Sequence, residues 1–297
     1  MHGSERLGNR LLPVLSACLH VDGDRPFIDL SVVTGSATAQ GRFLLDTGGG
    51  GLLLTEALAR RCGLPLEGKP TLEEWGLHLE EIPRPQMVLA GEVLELDSPA
   101  FVILESGAQG SGNMISGRAL SQYRVVLDFP RRQFSLRSPS SIPEGVPLVT
   151  PVHSQTKFPW IEITVEGHPY GMLLDTGAGC TMISPRVLQQ WRDEHPDWEY
   201  REGVRGSARK GRGDLDDGAV MLRVPRVTLG PFEIADVWMV ARPVGGNFET
   251  FSARMMTNAA IGALGGNLLR FFRLEVDYAT GLSYFQSVDT LPSTGQL

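Results

Sequence analysis

The segment Phe43-Leu44-Leu45-Asp46-Thr47-Gly48 recurs in the second half of the chain as Met172-Leu173-Leu174-Asp175-Thr176-Gly177. In each copy an apolar run leads into a polar turn, the pattern of a buried strand ending in an Asp-Thr-Gly loop. The match continues without a gap. At the same interval after each Asp stands a hydroxyl residue, Thr55 or Ser184, behind a short apolar strand, Leu52-Leu53-Leu54 or Thr181-Met182-Ile183. Each hydroxyl is placed to cap a short helix, Glu56 to Cys62 closed by Gly63, and Pro185 to about Glu194. Ser or Thr at the N-cap, Pro at the first helical position and Gly at the end are the punctuation such helices need.

The correspondence extends outward. Val88-Leu89-Ala90-Gly91 followed by Asp97 parallels Val227-Thr228-Leu229-Gly230 followed by Asp236, each a strand, turn and strand. Ile115-Ser116-Gly117 parallels Leu264-Gly265-Gly266, and equal intervals beyond Gly117 and Gly266 lead to Asp128-Phe129 and Asp277-Tyr278. Landmarks in the same order imply an internal duplication. The expected division is an N-terminal lobe over residues 1–137, a linker over 138–151 rich in Ser, Pro and Gly, a C-terminal lobe over 152–287, and a flexible tail over 288–297. The copies differ in one interval: the stretch from Asp175 to Gly266 is longer than that from Asp46 to Gly117. The excess falls within Gln189 to Gly218, a charged and Gly-rich stretch expected to form a mobile surface loop.

Composition narrows the function classes. The chain has 297 residues, 42% hydrophobic and 21% charged, with 35 Gly and 20 Pro. That is ordinary globular usage with many turns, which favours an all-β protein of about two domains. The net charge of −7 opposes nucleic-acid binding through a basic surface. No apolar run is long enough to cross a membrane as a helix. Cys18, Cys62 and Cys180 are odd in number and far apart, which disfavours a disulfide framework or a structural zinc site. The six His form no HExxH pair, no Gly-x-Ser-x-Gly elbow is present, and the Gly48–Gly51 run lacks the Lys-Ser/Thr of a phosphate loop. No metal and no cofactor are expected. Leu15-Ser16-Ala17-Cys18 has the look of a lipoprotein box, but the apolar stretch before it is short and broken by Pro13. The expectation is therefore a cytoplasmic protein whose N-terminus enters a strand, with export or a lipid anchor at Cys18 as the alternative. So few residues precede the repeat that no large pro-segment is expected.

With two Leu-Leu-Asp-Thr-Gly turns and two apolar-x-Gly segments ending at Gly117 and Gly266, residues 20–287 resemble the retropepsin-like and pepsin-like aspartic proteases. The short halves look more like single-chain bacterial retropepsin-like proteins than pepsin. The resemblance implies two closed-barrel lobes related by a pseudo-twofold axis, with a cleft between them. It makes Asp46 and Asp175 the catalytic pair. Thr47 and Thr176 would bond across the axis, Gly48 and Gly177 would let the loops approach, and Gly117 and Gly266 would brace them. The chemistry suits the residues: two adjacent carboxyls cannot both ionise easily, so the pair holds one proton and supplies a general base and a general acid together. The expected activity is aspartic endopeptidase, acting on a peptide or unfolded protein as a monomer with an intramolecular pair. The alternative is a weak or inactive peptide-binding module on the same fold.

Two features depart from the pepsin pattern. Gly49 and Ala178 stand where pepsin-like halves carry Ser or Thr, which removes a hydroxyl donor from each carboxylate and implies raised pKa values. Four consecutive glycines, Gly48 to Gly51, imply a looser first loop. Covering hairpins are expected over Thr71 to Gln86, with Trp75-Gly76 at the tip, and over Gly203 to Gly218, including Gly206, Gly211 and Gly213. Asp128 and Asp277 are expected at strand ends rather than in catalysis.

Overall fold

The computed structural model describes residues 14–35, 37–74, 77–104, 112–202, 219–241 and 254–287. The first lobe comprises β1 (Leu15–Cys18), β2 (His20–Asp22), β3 (Arg25–Val33), β4 (Thr38–Asp46), β5 (Leu52–Thr55), α1 (Glu56–Arg61), β6 (Leu72–Glu74), β7 (Leu77–Ile82), β8 (Gln86–Leu89), β9 (Glu92–Val93), β10 (Ala100–Ile103), β11 (Asn113–Ser116), β12 (Arg124–Asp128) and β13 (Gln133–Arg137). Then follow β14 (Val146–Val149), β15 (Trp160–Val165), β16 (His168–Leu174), β17 (Thr181–Ile183), α2 (Pro185–Glu194), β18 (Tyr200–Glu202), β19 (Val220–Leu229), β20 (Phe232–Ala241), β21 (Gly262–Leu264), α3 (Gly266–Leu269), β22 (Phe272–Asp277) and β23 (Leu282–Ser287). The protein is all-β, with helices confined to short connections.

Alternation builds the strands. On β3, Ile28, Leu30 and Val32 are fully buried, while Asp29 faces outward and binds Arg42 on the neighbouring β4 at 3.0 Å. A period of two thus assigns one face to the core and one to water. The helix caps form as expected. Thr55 and Ser184 accept from the backbone N–H of Leu58 and Val187, and Gly63 takes a positive φ after α1. The window Gln189–Gly218 is only partly loop: its start lies in α2 and Tyr200–Glu202 forms β18 against β19, while residues 203–218 lie outside the described set. The apolar residues of α2, Val187, Leu188 and Trp191, fall on one face and are buried, which carries the helix on to Glu194.

The duplication holds register for register. In the first lobe Leu53 pairs with Phe101 on β10 and with Met114 on β11. In the second, Met182 pairs with Val240 on β20 and with Ala263 on β21. Leu45 lies beside Ile115, as Leu174 lies beside Leu264. The second lobe closes into a barrel, β15-β16-β21-β17-β20-β19, sealed by Thr164 opposite Thr228. The first-lobe strands run in the order β6-β7-β10-β5-β11-β4-β3-β8-β9, with β2 on β3.

A third sheet joins the two lobes, in the order β1-β13-β12-β22-β23-β14. Its middle pair, β12 and β22, comes from equivalent positions of the two repeats. β14 lies within the stretch whose composition suggested a plain linker. It runs antiparallel to β23 from Val146 opposite Phe285 to Val149 opposite Leu282, so its backbone is bonded on one side although its side chains are largely exposed.

The strand-end Asp residues serve this sheet. Arg124 binds Asp277 at 3.0 Å, both almost fully buried, and the equivalent Arg273 faces Asp128 at 3.9 Å. The pseudo-twofold axis thus exchanges two buried Arg–Asp contacts across β12 and β22. Arg124 also donates to the carbonyls of Pro139 and Ser141, which ties down the start of the inter-lobe connection. Removing one partner strands a buried charge, so Asp277→Asn should cost about 3 kcal/mol in a urea melt. Replacing both, as Arg124→Met with Asp277→Leu, should recover much of that loss. A double variant less stable than the single would show that the pair is itself a large net source of stability.

Candidate active site

β4 and β16 end beside each other at the pseudo-twofold axis, and their Asp-Thr-Gly turns interlock. The Thr47 N–H donates to Thr176 Oγ1 at 3.1 Å, and the Thr176 N–H donates to Thr47 Oγ1 at 3.0 Å. Each hydroxyl then donates onward to the opposite strand, Thr47 to the Leu174 carbonyl at 2.5 Å and Thr176 to the Leu45 carbonyl at 2.7 Å. Both threonines are buried, so these four bonds are shielded from competing water and fix one loop to the other.

The carboxyl groups sit side by side over this platform. Asp46 Oδ1 accepts from the Gly48 N–H at 2.9 Å. Asp175 Oδ1 accepts from the Gly177 N–H at 2.9 Å and the Ala178 N–H at 3.2 Å. Each carboxyl also covers the other loop's glycine. A Cβ on Gly48 would stand 2.9 Å from Asp175 Cγ, and one on Gly177 would stand 2.5 Å from Asp46 Oδ2. Only glycine allows this mutual approach. Asp175 is buried and Asp46 is half-buried.

The apolar-x-Gly segments lie where the repeat suggested. The Gly117 N–H donates to the Asp46 carbonyl at 2.8 Å, and the Gly266 N–H donates to the Ala178 carbonyl at 2.7 Å. The space in front of each glycine is filled from a distant part of the chain. Tyr278 stands against Gly117, its Cζ 2.9 Å from where a Cβ would be. Backbone of the β2–β3 turn stands against Gly266. That turn is Gly23-Asp24, both at positive φ between Asp22 and Arg25, the geometry of a tight two-residue hairpin. Its tip also packs on Gly179, and Asp24 binds Arg270 at 2.9 Å. Sequence reasoning passed over Tyr278 and this tip, although Gly23-Asp24 between apolar runs is itself a turn signal.

The glycine run after Asp46 is mostly accounted for by contact. A side chain on Gly49 would meet the Met114 thioether and the Asp46 carboxyl, 2.8 and 3.1 Å away, and one on Gly51 would stand 3.1 Å from the Pro99 carbonyl. Gly50 faces open space. The expected first covering hairpin corresponds to β6 and β7, which pair from Leu72–Leu79 to Glu74–Leu77. Its tip residues, Trp75 and Gly76, lie outside the described residues, as do Gly206, Gly211 and Gly213. Cys180 is a buried residue of the second lobe's core.

Among the described residues no three His, Cys, Asp or Glu side chains converge to hold a metal ion, and no helix is long and apolar enough to cross a membrane. What the site offers is a pair of carboxyls, one buried and one half-buried, held by backbone donors over the crossed threonine bonds.

Comparison with known proteins bears on the second lobe and on the fold. Residues 161–265 match the family model of the aspartyl proteases. No curated protein matches the chain. Among solved structures, an aspartic proteinase from Irpex lacteus superposes with a TM-score of 0.58 at 11% identity, over 96% of this chain and 100% of that one. The second lobe thus matches the aspartyl protease family model, and the chain as a whole has the fold of an aspartic proteinase.

Proposed function

We propose that the protein is an endopeptidase in which Asp46 and Asp175 share one proton and together activate a water molecule. The observation that carries this is the mutual stacking of each carboxyl on the other loop's glycine, over the crossed threonine bonds. Two carboxyls so placed cannot both ionise without strong repulsion, so over a range of pH one is charged and one is not. The charged member takes a proton from water as it attacks the peptide carbonyl. The protonated member donates to the carbonyl oxygen, and the proton taken from water later goes to the leaving amine. Peptide would lie extended in the cleft between the lobes, bonded along its backbone like an added strand.

The test is digestion of a diverse peptide library from pH 3 to 8, with and without pepstatin. Cuts that pepstatin abolishes are expected, with an optimum from weakly acidic to neutral. The reason is that Gly49 and Ala178 bring no hydroxyl to stabilise the charged form. A profile peaking below about pH 3.5 would show that other donors supply that stabilisation. An absence of cuts across the range, with the fold intact, would overturn the endopeptidase reading.

A further inference from the structure

The second Asp loop is held from outside its own lobe. Ala178 donates its N–H to Asp175 Oδ1 at 3.2 Å, and its carbonyl accepts from the Gly266 N–H at 2.7 Å. The next peptide is fixed in the same way, with the Asn267 N–H donating to the Gly179 carbonyl at 2.8 Å. Gly179 and Gly266 are both covered by backbone of the Gly23-Asp24 turn, which comes from the first lobe. From that turn to the Asp175 carboxyl the path is one packing contact, at Gly266, and two hydrogen bonds through Ala178.

Backbone packing seats the turn, and an ion pair pins it. Arg270 Nη1 lies 2.9 Å from Asp24 Oδ1 and 3.1 Å from Asp24 Oδ2. The Arg270 guanidinium also rests over the Phe271 ring, 5.0 Å from its centroid. Arg270 is the C-cap of α3, which begins at Gly266. The turn is therefore gripped at both ends of α3, by its backbone at Gly266 and by its carboxylate at Arg270.

The duplication does not repeat this contact. Phe27 lies opposite Leu44 as Trp160 lies opposite Leu173, so Lys157 stands where Asp24 does. Counting equally from Gly117 and Gly266 puts Ser121 where Arg270 stands. A Lys and a Ser form no ion pair, and Gly117 is faced by Tyr278 instead. Two Asp loops alike in sequence are thus braced by different means.

We propose that Asp24 and Arg270 are positioning residues, whose ion pair latches the first-lobe turn onto the second Asp loop and so keeps the Ala178 N–H on the Asp175 carboxyl. This rests on the reading of Asp175 as a member of the reacting pair. Releasing the latch leaves both cores and the six-stranded sheet in place and frees only the seat of that loop. The pair is about one-third exposed on each side. Its worth lies between that of a surface ion pair and a hydrogen bond to a charged group, so local opening should become about five- to tenfold more frequent without it.

Asp24→Asn removes the charge and keeps a residue that tolerates the turn's positive φ of 59°. Arg270→Gln removes the other partner. Hydrogen exchange followed by NMR reads the Ala178, Gly266 and Asn267 N–H groups without substrate. In each variant they should exchange about five- to tenfold faster, while those of β12 and β22 keep their rates. The melting temperature should fall by no more than about 4 °C. The double variant should match either single one, since both break the same contact. On the best library peptide kcat should fall by about three- to tenfold with KM unchanged, because a reacting carboxyl is displaced and the rest of the cleft is not.

Unchanged exchange at those three groups would mean that backbone packing alone seats the turn, and overturns the proposal. So does faster exchange throughout the protein with a much earlier melt, which makes the pair a general brace. A local change that leaves kcat at the wild-type value overturns the positioning role. If no peptide is cut at all, the endopeptidase reading fails by itself, and the exchange rates still decide whether the latch holds the loop.

Discussion

Asp46→Asn and Asp175→Asn are each expected to lower kcat/KM by roughly a thousand- to ten-thousand-fold, the upper part of the range that positioned acid–base groups supply. Asn keeps the shape of Asp and an oxygen for the Gly48 or Gly177 N–H, so the loops should stay docked through Thr47 and Thr176. What is lost is the shared proton. With one carboxyl left, the site has a base or an acid at a given pH but not both. Because the pair acts as a unit, the double variant should be little worse than either single one. Stability should not fall, since replacing one member removes a like-charge contact. The measurement is steady-state cleavage of the best library peptide, with thermal melts alongside. If either variant kept activity within tenfold of wild type, that Asp would have no essential part in the chemistry. If both lost activity and also melted early, the effect would be structural and the assignment would fail for lack of specificity.

The frame of this molecule was legible because duplication writes the same instructions twice. The ungapped interval from Asp46 to Leu53 and from Asp175 to Met182 translates into identical strand register, so one alignment predicts both lobes. Caps at Thr55 and Ser184 were legible for the same reason, being local chemistry repeated at equal spacing. What sequence could not supply depends on contacts between distant segments that differ between the halves. Asp277-Tyr278 and Asp128-Phe129 look alike as strand ends. Only the pairing of β12 with β22 shows that the Asp residues face Arg partners from opposite repeats. Tyr278 meets Gly117 through the same sheet. The Gly23-Asp24 turn is recognisable, but its seat on Gly179 and Gly266 requires the lobes to be assembled first. The β14 strand was hidden by its Pro and exposed valines, since an edge strand needs neither alternation nor a buried face to be paired on one side.

The four glycines after Asp46 are alike in composition but not in surroundings. A run of Gly suggests excess freedom, yet the positions differ in what surrounds them. Of the two Asp-Thr-Gly glycines, Gly177 has the less room. Gly177→Ala would place a methyl 2.5 and 2.6 Å from the two Asp46 oxygens, closer than real Cβ contacts come. Either Asp46 swings off the Gly48 N–H or the second loop lifts from the first. A shift of about 1 Å at reacting groups can cost about a hundredfold in rate, so kcat/KM should fall by at least about that much. Gly50→Ala is the internal control. Nothing lies within 4 Å of its Cβ position, and its φ is not in the left-handed region. It should leave cleavage unchanged and raise stability by about 0.4–1 kcal/mol, by restricting the unfolded chain. Peptide cleavage and urea melts of the two variants decide the matter. A Gly177→Ala protein with wild-type kcat/KM would mean that Asp46 does not rest on the second loop during catalysis. A Gly50→Ala protein that loses activity would mean that the first loop must flex to work, and that the run is kept for motion rather than for close approach.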